Sequence, residues 1–125
     1  MTFSLLSTEV VIALHDAALN DGEIPGLAKD KSLDGALGRV DNRLVYGMIG
    51  DVFDLAAAYA TAISRGHCFN DGNKRTAFES MNFCLYLHGI NITWDTEDVG
   101  DRIIALAQGV LQEEDLADWL RIKAR

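Results

Sequence analysis

The sequence predicts an all-α fold, and three observations carry that expectation. Apolar residues recur at helical period along most of the chain, residues suited to helix ends flank those stretches, and the 125 residues include a single proline. Eleven glycines, without a regular train of turn signals, argue against a sandwich of many short strands. The length suits one domain, residues 1–125, able to bury roughly two-thirds of the surface its unfolded chain exposes.

The first helix is expected to open at Ser7 or Thr8 and run through "TEVVIALHDAALN", with Val11, Leu14, Ala18 and Leu19 on one face and Asp21-Gly22 ending it. His15, like His88, reads as a helix-terminus residue. Residues 21–32 hold the proline, two glycines and alternating charges, and read as a loop. From Leu33 an apolar stripe of Leu33, Leu37, Val40, Leu44 and Ile49 predicts a second helix, with interruptions at its glycines. Arg39 and Arg43 are assigned to solvent. "DVFDLAAAYATAISR" forms a third helix, acidic at its start and basic near its end, stopped by Gly66. "GNKRTAFESMNFCLYLHG" forms a fourth. Its apolar positions Ala77, Phe78, Met81, Phe83, Cys84, Leu85 and Leu87 nearly encircle it, so it is expected to be central. "INITW" reads as a short strand. A helix from Thr96 to about Gln108 and a last one in "QEEDLADWLRIKAR" complete the chain.

A net charge of −8 opposes general nucleic-acid binding, because the basic residues cluster only in "NKR" and "RIKAR". Cys68 and Cys84 make no disulfide framework and fit a reduced chain. With no basic leader-like start and no apolar run of membrane-spanning length, the expectation is a cytoplasmic protein that does not enter a membrane.

Gly66 to Ala77, "GHCFNDGNKRTA", resists a packing explanation. It lies where one helix stops and another starts, and such a start presents unpaired N–H groups and partial positive charge to phosphate oxygens. Gly72 permits a tight turn and close approach of a ligand. Asn73, Lys74 and Arg75 surround the same pole with an amide and two cations, and Arg75 is able to grip phosphate bidentately. Asp71 is a hard oxygen ligand suited to phosphate-bound Mg²⁺. His67, beside this seat, suits a base that takes the proton of an attacking hydroxyl. The chemistry indicated is phosphoryl or nucleotidyl transfer. A Walker P-loop is excluded because Asn73, not glycine, precedes Lys74. Zinc on His67, Cys68, Cys84 and His88 is disfavoured: there is no CxxC, and Cys84 lies on an apolar face.

"HCFNDGNKR" resembles the signature of the Fic/Doc family, and "IALHDA", "GLAKDKSLDGALGRV", "DLAAAYATAISRGH" and "FCLYLHGI" extend the likeness from Ile12 to Ile92. The resemblance implies a helical bundle with a central motif helix, a motif at 67–75 and a flap at about 21–32, loop or β-hairpin, whose edge docks the target by β-augmentation. It implies His67 as base and Asp71 as Mg²⁺ ligand. Gly72, Asn73, Lys74 and Arg75 would form the anion site for ATP, with Lys74 and Arg75 also catalytic, and Phe69 would anchor the loop in the core.

Two departures from the general Fic pattern stand out. Lys74 replaces the glycine that leaves room for the diphosphate when AMP is transferred, as in the Doc branch, which transfers the terminal phosphate instead. Phe78 replaces a second arginine. The family's inhibitory motif, Ser or Thr, three residues, then Glu followed by Gly or Asn, is absent; the nearest stretch, Thr93 to Asp98, ends Glu-Asp. The resemblance therefore implies a toxin restrained in trans by an antitoxin. Its substrates would be ATP with Mg²⁺ and a threonine of translation elongation factor Tu, and its effect the arrest of translation. The alternatives are a Fic-type nucleotidyltransferase (favoured by Gly72 and opposed by Lys74) and a non-catalytic antitoxin-binding module.

Overall fold

Most helix starts in this chain are closed by a side chain. In the computed structural model, which describes residues 2–125, Ser7 accepts from the Val10 N–H and opens α1 (Thr8–Ala18). Ser32 does the same for α2 (Leu33–Val45) through the Gly35 N–H, and Asp51 for α3 (Val52–Gly66) through the Asp54 N–H. α4 (Asn73–Leu87) begins behind Gly72 with no capping side chain and no acid in its first turn. Asp95 caps α5 (Thr96–Ala107). α6 (Glu113–Lys123) lacks a side-chain cap but compensates with Glu113, Glu114 and Asp115 in its first turn.

α3 and α4 share the centre of the bundle. α3 is packed by α2, α4, α5 and α6, while α1 and α5 flank α4. Ala56, Ala57, Ala58 and Ala60 are all buried, and such small side chains let the neighbouring helices approach α3 closely. α4 buries Thr76, Ala77, Ser80, Met81, Cys84 and Leu85. Phe78 and Phe83 are only half-buried and Leu87 is exposed, so its surroundings are less complete than the sequence implied.

Other boundaries moved as well. α1 ends at Ala18, before Asp21-Gly22, and α2 runs through Gly35 and Gly38 without a break. Gly66 remains inside α3, and His67, at φ 48°, takes the left-handed cap position expected of the glycine. Residues 90–94 form no strand among the described residues. Ile90, Ile92 and Trp94 instead lean on the core, and no neighbouring extended segment pairs with them. The flap is a loop, not a hairpin, and its one antiparallel bridge joins Leu27 to Phe69 of the motif loop. No helix among the described residues is long and apolar enough to cross a membrane.

Candidate active site

Two left-handed residues bracket the motif loop: His67 at φ 48° and Gly72 at φ 79°. Between these reversals the loop turns Cys68 and Phe69 into the core and leaves His67 and Asn70 exposed, with Asp71 half-buried. Phe69 is thus the core anchor that the sequence indicated. Asn73 braces the loop with its whole side chain. Its Oδ1 accepts from the Phe69 N–H at 3.0 Å, and its Nδ2 donates to the Phe69 carbonyl at 2.9 Å. These two bonds orient the Asn73 amide through one N–H and one lone pair, and its backbone N–H at the start of α4 is a further donor for a ligand. The Thr76 hydroxyl donates to the Gly72 carbonyl at 2.8 Å and fixes the turn from the other side.

The flap lies along the outer edge of this loop. Ala28 N–H donates to Cys68 O at 2.8 Å, Asn70 N–H donates to Gly26 O at 3.1 Å, and the Asn70 side chain donates to Pro25 O at 3.0 Å. Ile24 N–H donates to Asp71 Oδ2 at 2.8 Å. One residue earlier, Glu23 forms an ion pair with Arg75. Arg75 Nε also donates to Ala18 O at 3.2 Å, so the guanidinium is held from two sides. The Arg75 hydrogen bond, aided by the Asn20 N–H, keeps the Glu23 carboxyl below the usual carboxylate range.

His67, Asp71, Gly72, Asn73, Lys74 and Arg75 line one shallow polar pocket of about 270 Å³, together with Asn70 and Glu23. The structure therefore brings together every site residue expected from the sequence. Lys74 and Arg75 also line a second, mainly apolar groove of about 560 Å³, floored by Phe78, Trp94, Val99 and Ile103. Arg43 lies elsewhere and pairs with Glu113 of α6.

Three contributors escaped the sequence reading. Glu23 and Asn70 reach the site only through loop geometry. His15 carried a usable signal, since it stands four residues after Val11 on the apolar face of α1.

A family model described as Fic/DOC family matches residues 5–85, a span that contains the whole pocket. The chain belongs to the Fic/DOC family. Among curated proteins it is similar to one named Protein kinase doc, from Escherichia phage P1, with 38% identity over 117 residues covering 93% of this chain and 92% of that protein. In this Fic/DOC protein the start of α4 is informative about charge. It is the one helix here with neither a capping side chain nor an acidic first turn among the described residues, and it carries Lys74 and Arg75 instead. Basic residues at a helix start oppose the dipole, and a bound anion relieves that conflict.

Proposed function

We propose that this chain is a protein kinase toxin that transfers the γ-phosphate of ATP to a threonine hydroxyl of elongation factor Tu, arresting translation in the cytoplasm. The observation that carries this reading is the pocket in which a bare, cationic helix start meets His67 on one side and Asp71 on the other. Residues 1–125 work as one domain, with the flap at 21–32 and the motif at 67–75.

In this mechanism the N–H groups of Gly72 to Lys74 and the cations Lys74 and Arg75 hold the phosphates. His67 accepts the proton of the target hydroxyl as its oxygen bonds to the γ-phosphorus, and the bond from that phosphorus to the bridging oxygen breaks, releasing ADP. Asp71 fits Mg²⁺ as a single carboxylate. Among the described residues Asp71 Oδ2 accepts from the Ile24 N–H, and the carboxylate would hold the cation through its remaining oxygen sites. When bound, the cation neutralises phosphate charge.

Lys74 favours γ transfer because it lies at the junction of polar pocket and apolar groove, where it takes space from a diphosphate. Gly72 has little weight for the alternative, nucleotidyl transfer. A Cβ there would lie 3.4 Å from Arg75 and 3.5 Å from His15, so there is room for one, and the glycine answers to the left-handed backbone at φ 79° and not to space kept for a diphosphate. The apolar groove beside Arg75 suits an antitoxin segment that pairs acidic and apolar residues and covers the site in trans.

The test is incubation with elongation factor Tu, Mg²⁺ and ATP labelled in parallel at the α or γ phosphate. Label from the γ position supports the kinase. Label from the α position makes the protein a nucleotidyltransferase, and no label from either while an antitoxin still binds makes it a binding module.

A further inference from the structure

His15 takes no part in the chemistry above, yet it is buried directly beneath the motif loop, with 1% of its surface exposed. Its Nε2 lies 2.7 Å from the Asp71 carbonyl oxygen, and its Nδ1 lies 3.1 Å from Asp16 Oδ1. A carbonyl only accepts, so in this contact Nε2–H is the donor. The ring stacks on Phe69 with centroids 3.9 Å apart and planes 8° from parallel, which fixes the direction in which Nε2 points. The Asn73 side chain in turn holds both backbone groups of Phe69. One imidazole thus meets the motif at Phe69, at Asp71 and, by its closeness to Gly72, at the turn itself.

A trans peptide points its N–H opposite its C=O, and no cis peptide occurs among the described residues. Drawing the Asp71 carbonyl inward to His15 therefore turns the Gly72 N–H outward, toward the polar pocket that Gly72 lines. The opposite peptide orientation would present a carbonyl oxygen to an incoming phosphate, and Gly72, lacking a Cβ, offers little resistance to that flip. We propose that His15 is a positioning residue that locks the Asp71–Gly72 peptide in the orientation that binds phosphate. This inference rests on the phosphate-transfer reading of the same pocket.

The test compares the full chain with His15→Leu, which keeps the bulk but removes the donor, and His15→Gln, whose amide reaches a similar point. The first readout is affinity for the non-hydrolysable β,γ-imido analogue of ATP with Mg²⁺, measured by calorimetry. The expected result is a roughly tenfold loss in His15→Leu, with His15→Gln restored to within about threefold of wild type. Unchanged affinity in folded His15→Leu would overturn the proposal. Should His15→Leu not fold, His15→Gln together with the nitrogen–proton NMR spectrum decides. The inference requires a slowly exchanging imidazole Nε2–H in the wild-type chain, and its absence sinks the idea. A wild-type chain that binds the analogue in a His15-dependent way but transfers no γ-phosphate would refute the kinase reading alone.

Discussion

The His67 side chain is exposed, so truncating it removes little packing besides the proposed chemistry. His67→Ala is expected to lower label transfer at least a hundredfold while leaving affinity for the imido analogue within about threefold of wild type. Paired transfer and calorimetry measurements check this, and transfer at wild-type rates would remove His67 from the mechanism. Tyr59 offers a stability test away from the site. Its fully buried hydroxyl accepts from the Leu6 N–H at 3.0 Å, and burial pushes its pKa from 10.0 up to about 12. The neutral phenol is the form the fold favours. Its contribution is therefore complete below pH 10 and is lost as pH rises toward 12. Cys84, likewise raised by burial from 9.0 to about 12, adds a loss that begins near pH 9. Urea unfolding between pH 8 and 12 should show this decline. Tyr59→Phe should flatten the tyrosine part and cost about 1–2 kcal/mol at neutral pH, because the Leu6 N–H loses its acceptor.

Among the elements, the flap makes the sharpest forecast. Glu23 is a second carboxylate, besides Asp71, in the pocket proposed to seat phosphate, and it engages the guanidinium expected to hold that anion. Glu23→Gln is expected to tighten binding of the imido analogue about two- to fivefold, the range of a part-exposed ion pair. Weaker binding in that variant would mean that Glu23 assists the nucleotide instead of competing with it. The same elements show what a sequence can reveal. The motif from His67 to Arg75 was legible because its chemistry is contiguous, and a loop that feeds a helix start has one geometry. The flap was legible as a loop by its proline and glycines, but its grip on Asp71 and Arg75 depends on residues about 50 positions apart in the chain, which no local pattern encodes. The "INITW" strand failed because alternation gives a strand only when a neighbour supplies hydrogen bonds. The central place of α3 was hidden by its alanines, whose value lies in how closely other helices approach them.

At the scale of the whole molecule, the pocket depends on the bundle keeping α3 and α4 in register. Arg121 of α6 secures the start of α3. Its Nε donates to Asp51 Oδ2 at 2.9 Å, and its Nη2 donates to Asp51 Oδ1 at 3.0 Å and Asp54 Oδ1 at 2.6 Å. Arg121→Ala should lower the melting temperature by about 3–6 °C, the effect of roughly 1 kcal/mol in a domain of this size. The Arg121 guanidinium also holds the Asp51 carboxyl below its ordinary 3.8. The stabilisation it gives is thus present above that value and lost as acid protonates Asp51. Scanning calorimetry at descending pH should show less acid sensitivity in the variant, and an identical acid limb would mean that the pair is idle. A further consequence comes from the contact between Glu23 and Arg75, whose partners are both part-exposed. Dissolved sulfate or phosphate offers the guanidinium the same oxygen geometry as the carboxylate does, and ordinary salt screens the pair. The buffer thus becomes a reagent in its own right. A preparation kept in phosphate will hold its flap differently from one kept in an amine buffer at low ionic strength, and nucleotide affinities measured in the two will disagree.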